Sequence, residues 1–215
     1  MGGQITDLLL KDCENNDSGT LGYALVAFKS DFTTLKNTYA EESVPFVVTD
    51  DYAEDDLVTY DCEVYKCTVA HSAGAWDAGN FTLIPNGHVR INGTHALEGA
   101  KTFIRMEINE EESTISFESL GKKFSRSGKQ SAQLFHPGSS LAASQFNVRA
   151  TMARQAVVLV PLANGKVVQL GTKNSFAEIV GGKTAGTREN PDSRWLFEVS
   201  NYAKSEIYYQ GTLPV

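Results

Sequence analysis

Long apolar runs are absent from this 215-residue sequence, and so is a basic start followed by an apolar stretch and a small-residue cleavage site. A helix that spans a bilayer needs about 20 consecutive apolar residues. We therefore expect a protein made in the cytoplasm, with no secretion signal and no membrane insertion. The length suits one substantial core plus a small satellite, because domains usually contain about 100–150 residues.

Cysteine and histidine are scarce, with three and four residues respectively. Cys13, Cys62 and Cys67 cannot all pair, and the last two lie too close along one predicted hairpin for an ordinary disulfide framework, so we expect free thiols. The histidines are scattered, and none has another metal ligand three or four residues away. The acidic run at residues 50–56 lacks the alternating ligands and central Gly of a calcium loop. The sequence therefore predicts no metal site.

Catalytic signatures are also missing. No Ser lies in a Gly-x-Ser-x-Gly elbow, and no Cys has a nearby His of the kind that activates a nucleophile. Residues 177–184 (AEIVGGKT) match a relaxed phosphate-binding loop, but Gly186 and Pro191 interrupt the helix that such a loop requires. We predict a flexible polar loop there, no cofactor, and a protein that is not an enzyme.

The apolar pattern is mostly that of β-strands. Alternating or apolar stretches at residues 20–28, 101–109 and 114–120 predict strands, the last two forming a hairpin across a polar turn. Residues 156–162 and 166–170 flank Asn164-Gly165 and predict a second hairpin. Residues 194–200 and 206–212 predict a last pair, with Trp195, Phe197 and Val199 on one face.

Two helices are predicted. A short one lies within residues 4–13, and residues 140–153 form the best helix, with Ser140 as its cap. Leu141, Gln145, Val148 and Met152 fall near one face of it. The predicted fold is mainly β: an antiparallel β-sandwich or open barrel with one packed α-helix, plus a small inserted β module.

Charge divides the chain into two parts. Residues 38–85 contain one basic and ten acidic residues, a net charge of −9, whereas the rest contains 18 basic and 16 acidic residues, a net charge of +2. We predict a β-sandwich domain formed by residues 1–37 and 86–215, and an inserted acidic module at 38–85. Binding to DNA phosphates needs clustered Lys and Arg. We therefore expect any DNA to pass this protein without being bound.

The insert places Tyr52, Tyr60, Tyr65, Trp76 and Phe81 at short intervals. This pattern resembles the aromatic modules of the chitin-binding carbohydrate-binding type, which also recur in phage tail and fibre proteins. It departs from them at Asp55, where a Gly usually precedes the Asp, and at Cys62, where a hairpin Gly is common. The resemblance implies that sugar rings stack on Tyr52, Tyr60, Tyr65 and Trp76, with an exposed Trp76 indole as the main platform. The alternative is that Tyr60, Tyr65 and Trp76 mainly form the module's core.

The scaffold around the insert resembles the tail tube (major tail) proteins of long-tailed bacteriophages. The matching segments are residues 5–9 (ITDLL), 116–121 (SFESLG), 135–138 (FHPG), 168–171 (VQLG) and 208–214 (YYQGTLP). The resemblance implies a virion subunit, made in the host cytoplasm, that forms stacked hexameric rings around a channel for DNA and contacts other tail proteins. We expect an acidic or neutral lumen and an outward module that contacts a cell-surface glycan.

Two other functions compete with this one. The first is a glycan-binding surface adhesin or fibre-type virion protein, in which the β-scaffold only supports the module. The second is a hydrolase of cell-wall sugars, but no acid is flanked by the apolar residues that would raise its pKa for proton donation.

Overall fold

The structure is a computed structural model, and it describes residues 19–122, 125–138, 140–185 and 193–213. The predicted helix at residues 4–13 and Cys13 lie outside these ranges. The described strands, in chain order, are β1 (Tyr23–Phe28), β2 (Phe32–Thr34), β3 (Val44–Pro45), β4 (Leu57–Tyr60), β5 (Glu63–Cys67), β6 (Phe81–Leu83), β7 (Ala96–Leu97), β8 (Ile104–Glu107), β9 (Thr114–Lys122), β10 (Ser125–Pro137), β11 (Ala156–Pro161), β12 (Val167–Leu170), β13 (Glu178–Thr184) and β14 (Arg194–Ala203). The helices are α1 (Tyr39–Glu42) and α2 (Leu141–Ala153), with 3₁₀ turns at Lys29–Asp31 and Ala78–Asn80.

The strands form two main sheets and two smaller ones. Sheet 1 has the order β12-β11-β1-β8, and sheet 2 has the order β13-β14-β10-β9. The module sheet has the order β3-β4-β5-β6, and β2 pairs with β7. All pairs are antiparallel except β3 with β4. The predicted class, a mainly β antiparallel fold with one main helix, is confirmed.

The first hydrophobic core lies between sheets 1 and 2. Trp195, Phe197 and Val199 alternate along β14 and are all buried in this core, as the sequence predicted. Phe197 faces Leu134 across the β10–β14 ladder. The alternation leaves the other face of sheet 2 polar, which is the usual arrangement of an antiparallel sheet with one face in water.

The second core covers the opposite face of sheet 1. Leu25, Val157 and Leu159 pack there against Ile91 and Tyr209, which come from segments outside the two main sheets. Sheet 1 is therefore buried on both faces. This explains why β1 and β11 are nearly unbroken apolar runs, because both faces of these strands are buried and neither needs polar residues.

His95 lies within this second layer and has both ring nitrogens engaged. Its Nδ1 accepts the Lys36 backbone N–H at 3.2 Å, so Nε2 carries the hydrogen that is donated to Gln169 Oε1 at 2.9 Å. Tyr209 stacks on the ring. Burial lowers the pKa of His95, an effect that the hydrogen bond to Gln169 partly opposes. The neutral imidazole is therefore part of the packed layer.

Helix α2 begins where the sequence predicted, with the Ser140 hydroxyl accepting the Ala143 backbone N–H at 3.1 Å. The face picked out by the apolar spacing is exposed, however: Leu141, Val148 and Met152 are 85%, 55% and 80% accessible. The packed face is formed by small residues and one ring, namely Ala143, Phe146 and Ala150. Small side chains let the helix approach the sheets closely. Helix α2 therefore packs through its small residues and not through the face with the larger apolar side chains. No helix in the described ranges is long and apolar enough to cross a membrane.

Gly181 in β13 makes the close contact with α2. A methyl group built there would lie 2.9 Å from the Phe197 ring and would overlap Asn147 of the helix. At the next position, Gly182, the nearest atom to such a methyl would be 4.0 Å away. The predicted flexible loop at residues 177–184 is therefore wrong. This segment is an edge strand that pairs with β14, and its first Gly fits the helix against the sheet.

Two predicted strand pairings are also wrong. Strand β8 pairs with β1 and strand β9 pairs with β10, because the connection between them crosses from sheet 1 to sheet 2. The Ile108 N–H bonds Gly22 O in sheet 1, while the next N–H, of Asn109, bonds Phe135 O in sheet 2. Residues 206–212 form no strand with β14; they cover the edge of β12 instead. The β11–β12 hairpin is confirmed, with Gly165 at φ +82°.

Candidate functional site

The module sheet is organised by a tight hairpin between β4 and β5. Its two central residues, Asp61 and Cys62, have φ of +47° and +65°. Two consecutive left-handed residues match the twist of a two-residue hairpin, a position where Gly has no steric cost. Asp55 also has positive φ, at +77°. Both departures from the module pattern, Asp55 and Cys62, thus lie at left-handed positions where the pattern has Gly.

Trp76 lies at the centre of the module's aromatic cluster. Tyr60 stacks on one face of the indole, with centroids 4.2 Å apart and planes 8° apart, and Phe81 stacks on the other at 4.3 Å and 14°. Tyr65 and Phe46 approach it edge-on at 4.9 and 5.1 Å. Both ring faces are therefore occupied, and the predicted exposed platform at Trp76 does not fit this geometry.

The other three predicted stacking residues differ in exposure. Tyr52 is only 5% accessible and stacks on Phe46 at 5.4 Å, while its hydroxyl bonds the backbone of Val47. Tyr65 is half-buried. Tyr60 is 39% accessible and has one face against Trp76. The structure thus brings the four rings into one cluster that serves mainly as the module's core, which agrees with the alternative interpretation for Tyr65 and Trp76.

The acidic run at residues 50–56 lies largely in solvent. Asp51 and Asp56 accept the backbone N–H groups of Ala73 and Ala53, each at 2.7 Å, and so stabilise the loop. Asp55 forms an exposed ion pair of 2.6 Å with Lys66. No group of three or more His, Cys, Asp or Glu in the described residues is arranged to hold a metal ion. These carboxylates are thus a hydrated surface that repels other anions.

Cys62 and Cys67 are both free thiols, as predicted. Cys62 is exposed at the hairpin, whereas Cys67 is buried and directs its Sγ at Val69 O, 3.1 Å away. Burial raises the pKa of the Cys67 thiol, so its reactive thiolate form is disfavoured.

The module joins the scaffold through a stem formed by α1. Glu42 accepts the Asn37 backbone N–H at 2.9 Å and the Asn92 side-chain amide at 2.5 Å. Glu41 accepts the Asn174 amide at 3.0 Å. The Ala40 N–H bonds Gly87 O at 3.0 Å, which brings the two ends of the insert together. Carboxylates at residues 41 and 42, counted in the sequence only as charge, thus fix the module to the scaffold.

The outward face of sheet 2 is a second surface that the sequence did not single out. Its described charges are Glu118, Glu178, Glu198 and Lys129, besides the Arg194–Glu112 ion pair of 2.6 Å near one end. Ser and Thr hydroxyls and Gln133 fill much of the remainder. The alternation of apolar and polar residues along β9, β10 and β14 was the signal that could have identified this face. The surface is mostly polar and weakly acidic.

Comparisons of the chain with models of protein families, with characterised proteins and with solved structures found no match.

Proposed function

We propose that this chain is a structural, non-enzymatic subunit of a bacteriophage tail tube, which stacks as hexameric rings around a channel for the genome and carries an outward acidic module. The observation that carries the proposal is the set of strand edges that are unpaired among the described residues, on a sandwich whose sheet 1 is buried on both faces. The unpaired N–H and C=O groups of an edge strand can form hydrogen bonds with a strand of another subunit. Different edges meeting head to tail generate rings when the rotation closes.

Sheet 1 has one open edge. On the β12 side, the Gln169 N–H bonds Ile207 O and the Tyr209 N–H bonds Val167 O, both at 2.8 Å, so this edge is closed. On the β8 side, the even-numbered residues pair with β1, so the N–H and C=O of Arg105 point outward. Glu107 O, which points the same way, is capped by His136 at 2.7 Å. Arg105 thus marks a free site for pairing within the described chain.

Among the described residues, sheet 2 ends in two different strands, β9 and β13, and its outward face has few positive charges. A conduit for DNA should not hold phosphates, because each Lys or Arg contact adds salt-dependent affinity. Lys129 faces Glu118 across the β9–β10 ladder. Tyr202 lies at the end of this face, where it borders the module stem. This face therefore supports a role as the channel lining.

The layer order supports an outward module. The stem is anchored to Ile91 and its neighbours, through the Thr38–Ile91 bridge and the Asn92 N–H to Asn37 O bond of 2.8 Å. Ile91 belongs to the layer that covers sheet 1 on the side away from sheet 2. If sheet 2 faces the channel, this anchor of the stem lies on the opposite side of sheet 1, and we expect the module to project from there, where its charge is solvated and screened within about 8–10 Å.

Electron microscopy of the purified protein at high concentration tests this proposal. Wild type should form rings or tubes with a central channel. Arg105→Pro removes an N–H that bonds no described residue and should reduce assembly, whereas Arg105→Ala, which keeps that N–H, should assemble normally. A protein that sediments as a monomer at every concentration and gives no tubes would overturn the proposal.

Deleting residues 44–83 and joining the ends with a Gly/Ser linker tests whether the scaffold forms rings without the module. This deletion keeps α1, and with it the hydrogen bonds of Glu41 and Glu42 to the scaffold. Rings should still form. Loss of rings in a folded deletion variant would make the module part of the assembly machinery.

A further inference from the structure

The cleft between the module stem and the scaffold has the size and lining of a small-molecule site. It encloses about 500 Å³, within the range of about 300–1,000 Å³ that is typical of ligand pockets. Module residues on one wall include Glu41 and Thr59, and His88 follows the module. The opposite wall is formed by two scaffold segments, from which the lining residues are Thr172, Asn174, Ser175, Tyr202, Ala203, Lys204, Ser205 and Ile207. The two walls are joined by the 3.0 Å hydrogen bond from Asn174 to Glu41.

Tyr202 is the aromatic residue that lines this cleft, and it is 64% accessible. It differs from the module's rings, because no other ring contacts it among the described residues, whereas Trp76 is covered on both faces. Its backbone N–H is fixed by Ser175 Oγ at 3.2 Å, so the residue is held in place while its side chain stays open.

The polar groups of the cleft are varied and nearly balanced in charge. Lys204 has no ion pair with any described residue, and Glu41 supplies the opposite charge. Asn174 uses its amide N–H on Glu41 and leaves its side-chain oxygen available. Hydroxyls and one imidazole, from Thr59, Ser205 and His88, complete the lining. A single ammonium is too little for a nucleic acid backbone.

We infer that this cleft binds an uncharged saccharide, with Tyr202 as the stacking platform and Asn174, Glu41 and Lys204 as hydrogen-bonding partners. A sugar ring presents an apolar face of C–H groups and a rim of hydroxyls. An open aromatic ring matches the first, and mixed donors and acceptors match the second. The saccharide site is thereby placed at the junction of module and scaffold, away from the cluster around Trp76.

Calorimetric titration of the full-length protein with oligosaccharides of glucose and of N-acetylglucosamine, two to six units long, tests the site. Wild type should bind at least one series saturably. Tyr202→Ala should weaken binding about tenfold, the equivalent of one aromatic contact. Tyr202→Phe should stay within about twofold of wild type, since it keeps the ring. Val180→Ala, an exposed change on neighbouring β13, is the control and should bind normally.

Three results would overturn the inference: no saturable binding by wild type, unchanged binding by Tyr202→Ala, or loss of binding by Tyr60→Ala with Tyr202→Ala unaffected. The outcome is separate from ring assembly. Absence of rings would count against the tube proposal only, and absence of saccharide binding would count against the cleft only.

Discussion

Replacing Trp76 with Ala should unfold the module while the scaffold stays folded. Truncating a packed Trp costs about 3–5 kcal/mol, and stacked aromatic pairs add about 0.5–1.5 kcal/mol each beyond buried area. Trp76 stacks with Tyr60 and Phe81, but it is only half-buried. We therefore expect a loss of about 3 kcal/mol. A core this small contributes little free energy of unfolding, so the module should be unfolded in most molecules.

Native-state hydrogen exchange measures this effect locally. Amides of β4 and β5 should lose protection in Trp76→Ala, whereas amides of β11 and β12 should keep it. Tyr202→Ala is the matched control, since it truncates an exposed ring that contacts no other ring of the described residues, and it should change protection by less than about 0.5 kcal/mol. Unchanged protection of β4 and β5 in Trp76→Ala would refute the central role of the indole.

Three further changes test the packing at Gly181, the turn at Cys62 and the pH dependence of stability at His95. Gly181→Ala should lower the free energy of unfolding by about 1–3 kcal/mol because its methyl would meet the Phe197 ring, whereas Gly182→Ala should cost less than about 0.5 kcal/mol; equal urea denaturation midpoints would contradict this. Cys62→Gly should raise module protection by about 0.5–1 kcal/mol, because Cys62 has φ +65°, and Cys62→Ala should not. Since burial lowers the pKa of His95, the folded state binds fewer protons than the unfolded state just below about pH 6.5. Stability should therefore fall as pH drops from about 6.5 towards the folded-state pKa, and melting curves of His95→Gln should show a smaller slope there; an identical slope would exclude His95 as the source.

Features encoded by neighbouring residues were predictable from the sequence. The β11–β12 hairpin follows from Asn164-Gly165, and the start of α2 follows from the Ser140 cap. The missing hairpin glycine at Cys62 correctly indicated left-handed backbone there, and Asp55 has positive φ as well. Each of these depends on a turn or a cap, so a few consecutive residues contain the whole signal.

Partner choice between distant segments was not predictable. The strands at residues 104–107 and 114–122 read as a hairpin, yet the two residues after β8 bond to different sheets. Likewise Gly181-Gly182 reads as a loop because a strand seldom contains paired glycines. Only the helix packed on Gly181 explains that choice.

The candidate site shows the same limit. Composition identified an aromatic module, but the free faces of its rings depend on which rings meet, and the module buries Trp76 between residues from two different strands. The open ring, Tyr202, is a single aromatic residue in a β-strand pattern and gives no signal of its own. Its setting arises from the fold, because residues 41 and 174 are brought together only by the stem.

The separation of charge between module and scaffold is compatible with the edge-to-edge assembly that we propose. Strands that pair across two subunits must approach to about 4.8 Å, where like charges repel strongly. The outer strands β8, β9 and β13 of the described sheets all belong to the part of the chain with a net charge of +2, and the charge of −9 is confined to the module. Modules on neighbouring subunits would repel one another only within the screening length of about 8–10 Å. The acidic charge can therefore discourage contacts between modules while the nearly neutral edges remain free to pair.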